Sequence, residues 1–282
     1  MDFSPLYMLP ETTASQRLML YRPYLEQVDP EMAETFDYME KYGLYDMDPS
    51  PGKADTGFTI GLDYYNDAFI FDSPYGRYYD YTTAIHEFGH YHYMFRNAED
   101  LMVKSNNIDL CEIHSQGLEM LFYDYYDDIL GGEEGELFRF MEVYQMVDNI
   151  IEASLISEFE LEVYENPDMS LEDLNKLYLT LSNKYGIYYN DRMTEIYTWA
   201  EVPHIFNSPC YYIGYATSAF TALDILTLSE KDRHEAVEKY MELTTLPTYA
   251  AYCDAIEYVE LRDIFEKGVP VEIIKETAEV LQ

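Results

Sequence analysis

A chain of 282 residues is long enough for one sizeable domain, and its 48% apolar content can fill a core. Against 17 basic residues stand 54 acidic ones, a formal charge of −37 that repels polyphosphates and anionic lipid, so neither nucleic acid nor a membrane is an expected partner. No stretch approaches the roughly eighteen apolar residues that a membrane helix needs.

The first ten residues carry no basic run followed by an apolar one, so no signal peptide is expected. Cys111, Cys210 and Cys253 are odd in number, widely spaced and free of CxxC patterning, which fits reduced thiols and a cytoplasmic location. The acid excess reads first as solubility or adaptation to salt, with attraction of cationic peptides as the functional alternative.

Residues 29–42 have helical spacing, an acidic first turn and Gly43 as C-cap. Residues 44–75 change character. Two β-prone runs, TGFTIGL and AFIF, flank Asp63-Tyr64-Tyr65-Asn66-Asp67 and predict a small hairpin or a pair of edge strands. From residue 79 onward helices are expected over 79–97, 108–130, 134–164, 171–185, 211–229, 231–243, 247–266 and 271–281. Gly131-Gly132 and Asn166-Pro167-Asp168 punctuate them as turns. The fold class is therefore mainly α over a single domain, 1–282. A strand-containing part (44–75) precedes a pair of helices (79–130) and a C-terminal helical part (134–282).

The chemistry concentrates at His86-Glu87-Phe88-Gly89-His90, an HExxH pattern on the helix expected over 79–97. Residues four apart share a helix face, so both imidazoles can bind one Zn²⁺. Glu87 lies about 100° round the helix, placed to take a proton from water rather than to ligate. Two surface histidines on a helix would give the same five letters, so context must decide. A catalytic zinc takes a third protein ligand and keeps an open position. Downstream lie Glu99, Asp100, Asp109, Glu112, His114 and Glu119. Glu99 and Asp100 follow too closely to return to the ion. Glu112 sits among Leu110, Ile113, Leu118 and Leu121, where a carboxylate is costly unless paired or metal-bound. His114 points elsewhere on that helix, toward the surface or the outer shell of the site. Glu119 shares the face of Glu112, two turns on, and suits the role of a residue that supports a ligand.

These residues resemble the thimet oligopeptidase and oligoendopeptidase F group of zinc peptidases. The resemblance rests on HEFGHYHY at the active-site helix, on Glu112-Ile113-His114-Ser115-Gln116, on the segment His204 to Thr217, and on the turn Pro51-Gly52-Lys53-Ala54-Asp55-Thr56-Gly57. It implies a helical metallopeptidase catalytic domain acting on short peptides. It implies one Zn²⁺ per chain on His86, His90 and Glu112, with Glu87 as general base. It further implies that His204 and a nearby tyrosine, Tyr215 or Tyr212, donate hydrogen bonds to substrate and oxyanion. Packing is the competing role for Tyr211, Tyr212 and Tyr215.

Two departures stand out. The group's additional histidine, three residues past the second ligand, is Tyr93, with His92 one position early. Members of the group are also about twice this length, their substrate channel running between an N-terminal lobe and this catalytic one. A fragment, a truncated product and a compact relative with an open cleft all fit, the cleft being completed by a missing N-terminal lobe or by oligomerisation. The competing function is a peptide-binding relative that has lost turnover; the presence of Glu87 and Glu112 argues against it.

Overall fold

The computed structural model describes residues 4–54, 56–73, 78–97, 108–187, 197–247 and 249–282. Helices α1 (Ala14–Val28) and α2 (Pro30–Tyr42) meet at Asp29, whose carboxylate caps α2 by accepting the Glu31 amide. Gly43 ends α2 in the left-handed region at φ 61°, the predicted stop.

Strands β1 (Tyr45–Asp46), β2 (Gly57–Leu62) and β3 (Asp67–Asp72) form a sheet of order β1-β3-β2. β2 and β3 are the expected hairpin, antiparallel with Gly57 opposite Asp72 and Leu62 opposite Asp67. β1 adds parallel to the far side of β3, so β2 is an outer strand. Ahead of β2, Lys53 pins the turn: its ammonium donates to the Asp46 and Asp48 carbonyls and to the Asp46 carboxylate. Asp55 of that turn, like Glu99 and Asp100, lies outside the described residues.

The sheet rests on α3 (Tyr78–Arg96), which crosses α4 (Cys111–Leu121). The helix expected over 108–130 is interrupted. After Phe122 the chain turns through a 3₁₀ segment, Tyr123–Tyr125, into α5 (Tyr126–Leu130). Phe122 and Tyr126 are both fully buried, and Phe122 meets Tyr21 of α1 edge-on, so aromatic packing rather than a Gly or Pro signal sets the break.

At 34 residues, and therefore about 50 Å, α6 (Gly132–Glu165) joins two cores. Its first half puts Leu137, Phe138, Val143 and Met146 into the main one. Its second half puts Leu155, Ile156 and Phe159 against Tyr178 and Leu181 of α7 (Leu171–Lys184) and against Trp199. A single helical turn, α8 (His204–Asn207), leads to α9 (Ile213–Lys231), which packs on α4 and α6 and is buried nearly all round, as a central helix must be. Helices α10 (Arg233–Leu243), α11 (Tyr252–Tyr258) and α12 (Val269–Val280) complete the chain. The helix expected over 247–266 shrinks to α11. Lys239 of α10 donates to the carbonyls of Val259 and Glu260, and Glu260 adopts a left-handed φ of 56° that ends the helical path. No described helix is long and apolar enough to cross a membrane.

Candidate metal centre

α3 and α4 cross where Gly89 has no side chain. A Cβ there would lie 2.5 Å from the His114 carbonyl oxygen and 2.8 Å from Ser115 Cα, so only glycine lets the two backbones come this close. The crossing sets Glu112, at the start of α4, opposite His86 and His90 on one face of α3. Glu112 Oε2 lies 3.5 Å from His86 Nε2 and 3.4 Å from His90 Nε2, and the donor atoms of all three residues fall within 4.8 Å of one another.

Those separations test the fit of an ion. They are too long for charge-assisted hydrogen bonds, which run about 2.7–2.9 Å. Tetrahedral bonds of about 2.1 Å place neighbouring ligand atoms about 3.4 Å apart, which is the spacing found between Glu112 and each imidazole. Two imidazoles and a carboxylate are also a donor set suited to zinc.

Each donor is held from behind. Glu119, two turns along α4 from Glu112, accepts from His86 Nδ1 at 2.6 Å, which turns Nε2 toward Glu112. Tyr211 donates its hydroxyl to Glu112 Oε1 at 2.7 Å. Ser115 Oγ lies 3.3 Å from Glu112 Oε2, one turn along the same helix. Burial works against charging the imidazoles, but Glu119 and Glu112 outweigh it and raise the His86 pKa to about 10; Glu112 likewise raises His90.

Glu87 faces β2. Thr59 Oγ1 lies 2.6 Å from its Oε2, and the Cα of Gly57 passes close to its Oε1, a Cβ there coming within 3.6 Å. Residues His86, Glu87, His90 and Glu112 share a cavity of about 290 Å³ with the strand segment Gly57–Thr59 and with Tyr211 and Tyr215. Beside Glu87, Asp72 at the end of β3 is 1% exposed, and neither of its carboxylate oxygens has a hydrogen-bond partner. Burial, then the charge of Glu87, pushes the Asp72 pKa up to about 6.

The segment 204–215 is held against this cavity by the smaller core, on which Ile205 and Tyr212 pack beside Trp199. His204 stands on α8, its ring 5.5 Å from Tyr211 and 5.8 Å from Tyr215. Tyr215 lines the cavity, whereas Tyr212 sits one ring further out, 5.2 Å from Tyr215 and turned toward the Trp199 core. Burial lifts all three phenols: Tyr212 to about 12, aided by Glu152, and Tyr211 and Tyr215 above the ordinary range, aided by Glu112. They stay protonated, and Tyr211 donates to Glu112.

Tyr211 is the residue to which sequence reasoning assigned no contact, since no spacing separates a phenol aimed at Glu112 from its two neighbours. His114 differs from expectation: it is 1% exposed and interior, stacked on Tyr93 at 3.7 Å, with burial lowering its pKa to about 3. His92 is likewise buried, on Thr35, and kept neutral by burial and Arg96. Asp109 lies in the 3₁₀ turn before α4 and is not in the donor group.

No protein-family model and no curated protein matches the sequence. Solved structures do match the fold. One described as an oligoendopeptidase F shares 24% identity over 96% of this chain and 49% of its own, with a TM-score of 0.88. PZ peptidase A bound to an inhibitor shares 22% over 97% and 50%, with a TM-score of 0.87. A chain from Bacillus anthracis described as an oligoendopeptidase F shares 23% over 96% and 47%, with a TM-score of 0.81. At such identities the likeness establishes the mainly helical fold with its three-stranded sheet, and the chain spans about half the length of these relatives.

Proposed function

We propose that residues 1–282 form the catalytic domain of a zinc metalloendopeptidase that cleaves internal bonds of short peptides. The observation that carries this reading is the trio His86, His90 and Glu112, in which the carboxylate stands 3.5 and 3.4 Å from the two imidazoles, with Glu87 beside it on the same cavity. The structural likeness to peptidases supports it.

One Zn²⁺ held by that trio would supply Lewis acidity at the peptide carbonyl and would acidify water. Glu87 takes the proton of the attacking water, its carboxylate fixed at Oε2 by the Thr59 hydroxyl, and returns it to the leaving amine. Tyr215 donates its hydroxyl to the oxygen that gains charge in the transition state, with His204 and Tyr212 ordering the ring from behind. β2 borders the cavity as an outer strand, so its free backbone groups hold an extended peptide without reading its sequence.

Elemental analysis beside cleavage of a quenched-fluorescence peptide tests the reading. One zinc per chain is expected, lost in His86→Ala, His90→Ala and Glu112→Ala. Glu87→Gln should keep zinc yet lose activity roughly 10²–10⁴-fold, the contribution of a general base. Full zinc in all three ligand variants would refute the site, and undiminished cleavage by Glu87→Gln would refute the base. The half-length span favours one second reading, a lobe whose cleft is completed by a separate chain. It predicts zinc at one per chain without cleavage.

A further inference from the structure

Behind the candidate ligand His86 stands a chain of carboxyls that the proposed reaction does not use. Glu119 is 2% exposed and accepts the His86 Nδ1 proton on Oε1. Next to it, from the middle of α6, comes Glu142, which is 0% exposed. Thr82 donates its hydroxyl to Glu142 Oε1 at 2.8 Å, while Glu142 Oε2 is buried without any partner able to donate to it. The groups around it are Glu119 of α4, Thr82, His86 and Tyr78 of α3, Tyr126 of α5 and Tyr21 of α1. Among the described residues no lysine or arginine pairs with it.

A carboxylate in that position would be a second buried anion beside Glu119, with one oxygen unsatisfied. Such a group costs several kcal/mol to bury, far more than a neutral acid does. A proton on this carboxyl resolves both problems, because the neutral acid then has an O–H to offer the neighbouring Glu119. Burial, then the charge of Glu119, raises the Glu142 carboxyl well above the usual range, in agreement with this count of donors and acceptors.

We infer that Glu142 is a neutral carboxylic acid near neutral pH, a positioning residue that donates to Glu119 and so holds that side chain in place against His86 Nδ1. Glu119 then accepts on both sides, from Glu142 and from the His86 N–H, and is fixed between them. The tautomer that presents the Nε2 lone pair to the donor trio is thereby fixed two residues away from the ion. The second half of this inference rests on His86 being a metal ligand; the first half does not.

Infrared spectroscopy of the metal-free protein near neutral pH tests the proton directly. The carboxylic C=O stretch, which carboxylates lack, should appear in the parent-minus-Glu142→Gln difference spectrum, where the contribution of the partly protonated Asp72 cancels, and should shift in D₂O. A difference spectrum without that band overturns the assignment. Zinc release to a chelator tests the consequence. Glutamine reproduces both hydrogen bonds, an N–H to Glu119 and a C=O for Thr82, so Glu142→Gln should release zinc within about threefold of the parent rate. Glu142→Leu lacks the donor, and release should quicken roughly 10- to 100-fold, as when a partner that orients a ligand is lost. Equal, fast release from the Gln and Leu variants would mean that charge rather than the donor matters, which refutes the inference. Unchanged release from Glu142→Leu refutes it as well. Should the chain bind no zinc at all, the function proposed for the trio fails while the infrared band still decides the state of Glu142.

Discussion

Replacing Gly89 by alanine offers the sharpest test of how the fold makes the site. The new methyl would meet the His114 carbonyl oxygen at 2.5 Å and Ser115 Cα at 2.8 Å, both belonging to the backbone of α4. Ordinary contact begins near 3.4 Å, so α4 must retreat by about 0.9 Å at this point, since no flexible side chain can yield in its place. Ser115 is hydrogen-bonded to Glu112, which carries the displacement to the candidate ligand itself. Metal ligands tolerate errors of about 0.2 Å, so a shift several times larger removes Glu112 from effective coordination. Overpacking of this kind costs about 1–3 kcal/mol, and a chain of this size loses roughly 2–4 °C of melting temperature per kcal/mol. Calorimetry of metal-free Gly89→Ala should therefore show a fall of a few degrees. Chelator competition should show zinc affinity falling by more than tenfold, beyond what that destabilisation explains. A Gly89→Ala protein that melts lower but binds zinc as tightly as the parent would refute the argument that this crossing sets the site.

Tyr215→Phe keeps the ring and removes the donor, so kcat should fall roughly 10- to 1,000-fold with a smaller change in KM; an unchanged kcat with a lower Tm would make the hydroxyl structural. Tyr211→Phe deletes a hydrogen bond to a charged acceptor, worth about 1.5–3 kcal/mol, and should weaken zinc binding about tenfold or more by titration. Asp72 holds its proton to a pH near 6 in the native state and to about 3.8 when unfolded, so native stability falls as pH rises between those values. Asp72→Asn should be more stable than the parent by roughly 1–3 kcal/mol above pH 6 in urea unfolding, with the gain gone below about pH 4. A substrate-like peptide N-methylated on the amides that face β2 should lose inhibition relative to one methylated on the opposite side; equal potency would place the peptide elsewhere.

The elements legible in the sequence were those whose signal is local. Gly43 and Asp29 bracket α2 by cap chemistry, and the Tyr78–Arg96 helix carries its two histidines on one face because their spacing equals one turn. Glu112 and Glu119 could be singled out because a carboxylate among leucines needs a partner. What stayed hidden depends on contacts remote in sequence. Tyr211 reaches Glu112 across 99 positions, Thr82 reaches Glu142 across 60, and Lys239 ends α11 from a different helix. Helix α1 carries Pro23 in its interior, so the local signal there argues against the helix that tertiary packing builds. His114 was misplaced for a similar reason: a polar residue on α4 goes inward only because Tyr93 offers a ring to stack on.

The outer strand β2 has a consequence for the molecule in company. It leaves one row of backbone donors and acceptors unpaired by any other described strand, and Phe58 and Ile60 on it are 42% and 50% exposed. An edge that can receive an extended peptide can equally receive the same strand of another copy. The counterweight is the excess of 37 negative charges, which makes every approach of two copies repulsive. That repulsion reaches about 10 Å at 0.1 M salt and only about 3 Å at 1 M. Dilute buffer therefore holds copies apart at this edge, and concentrated salt removes that barrier.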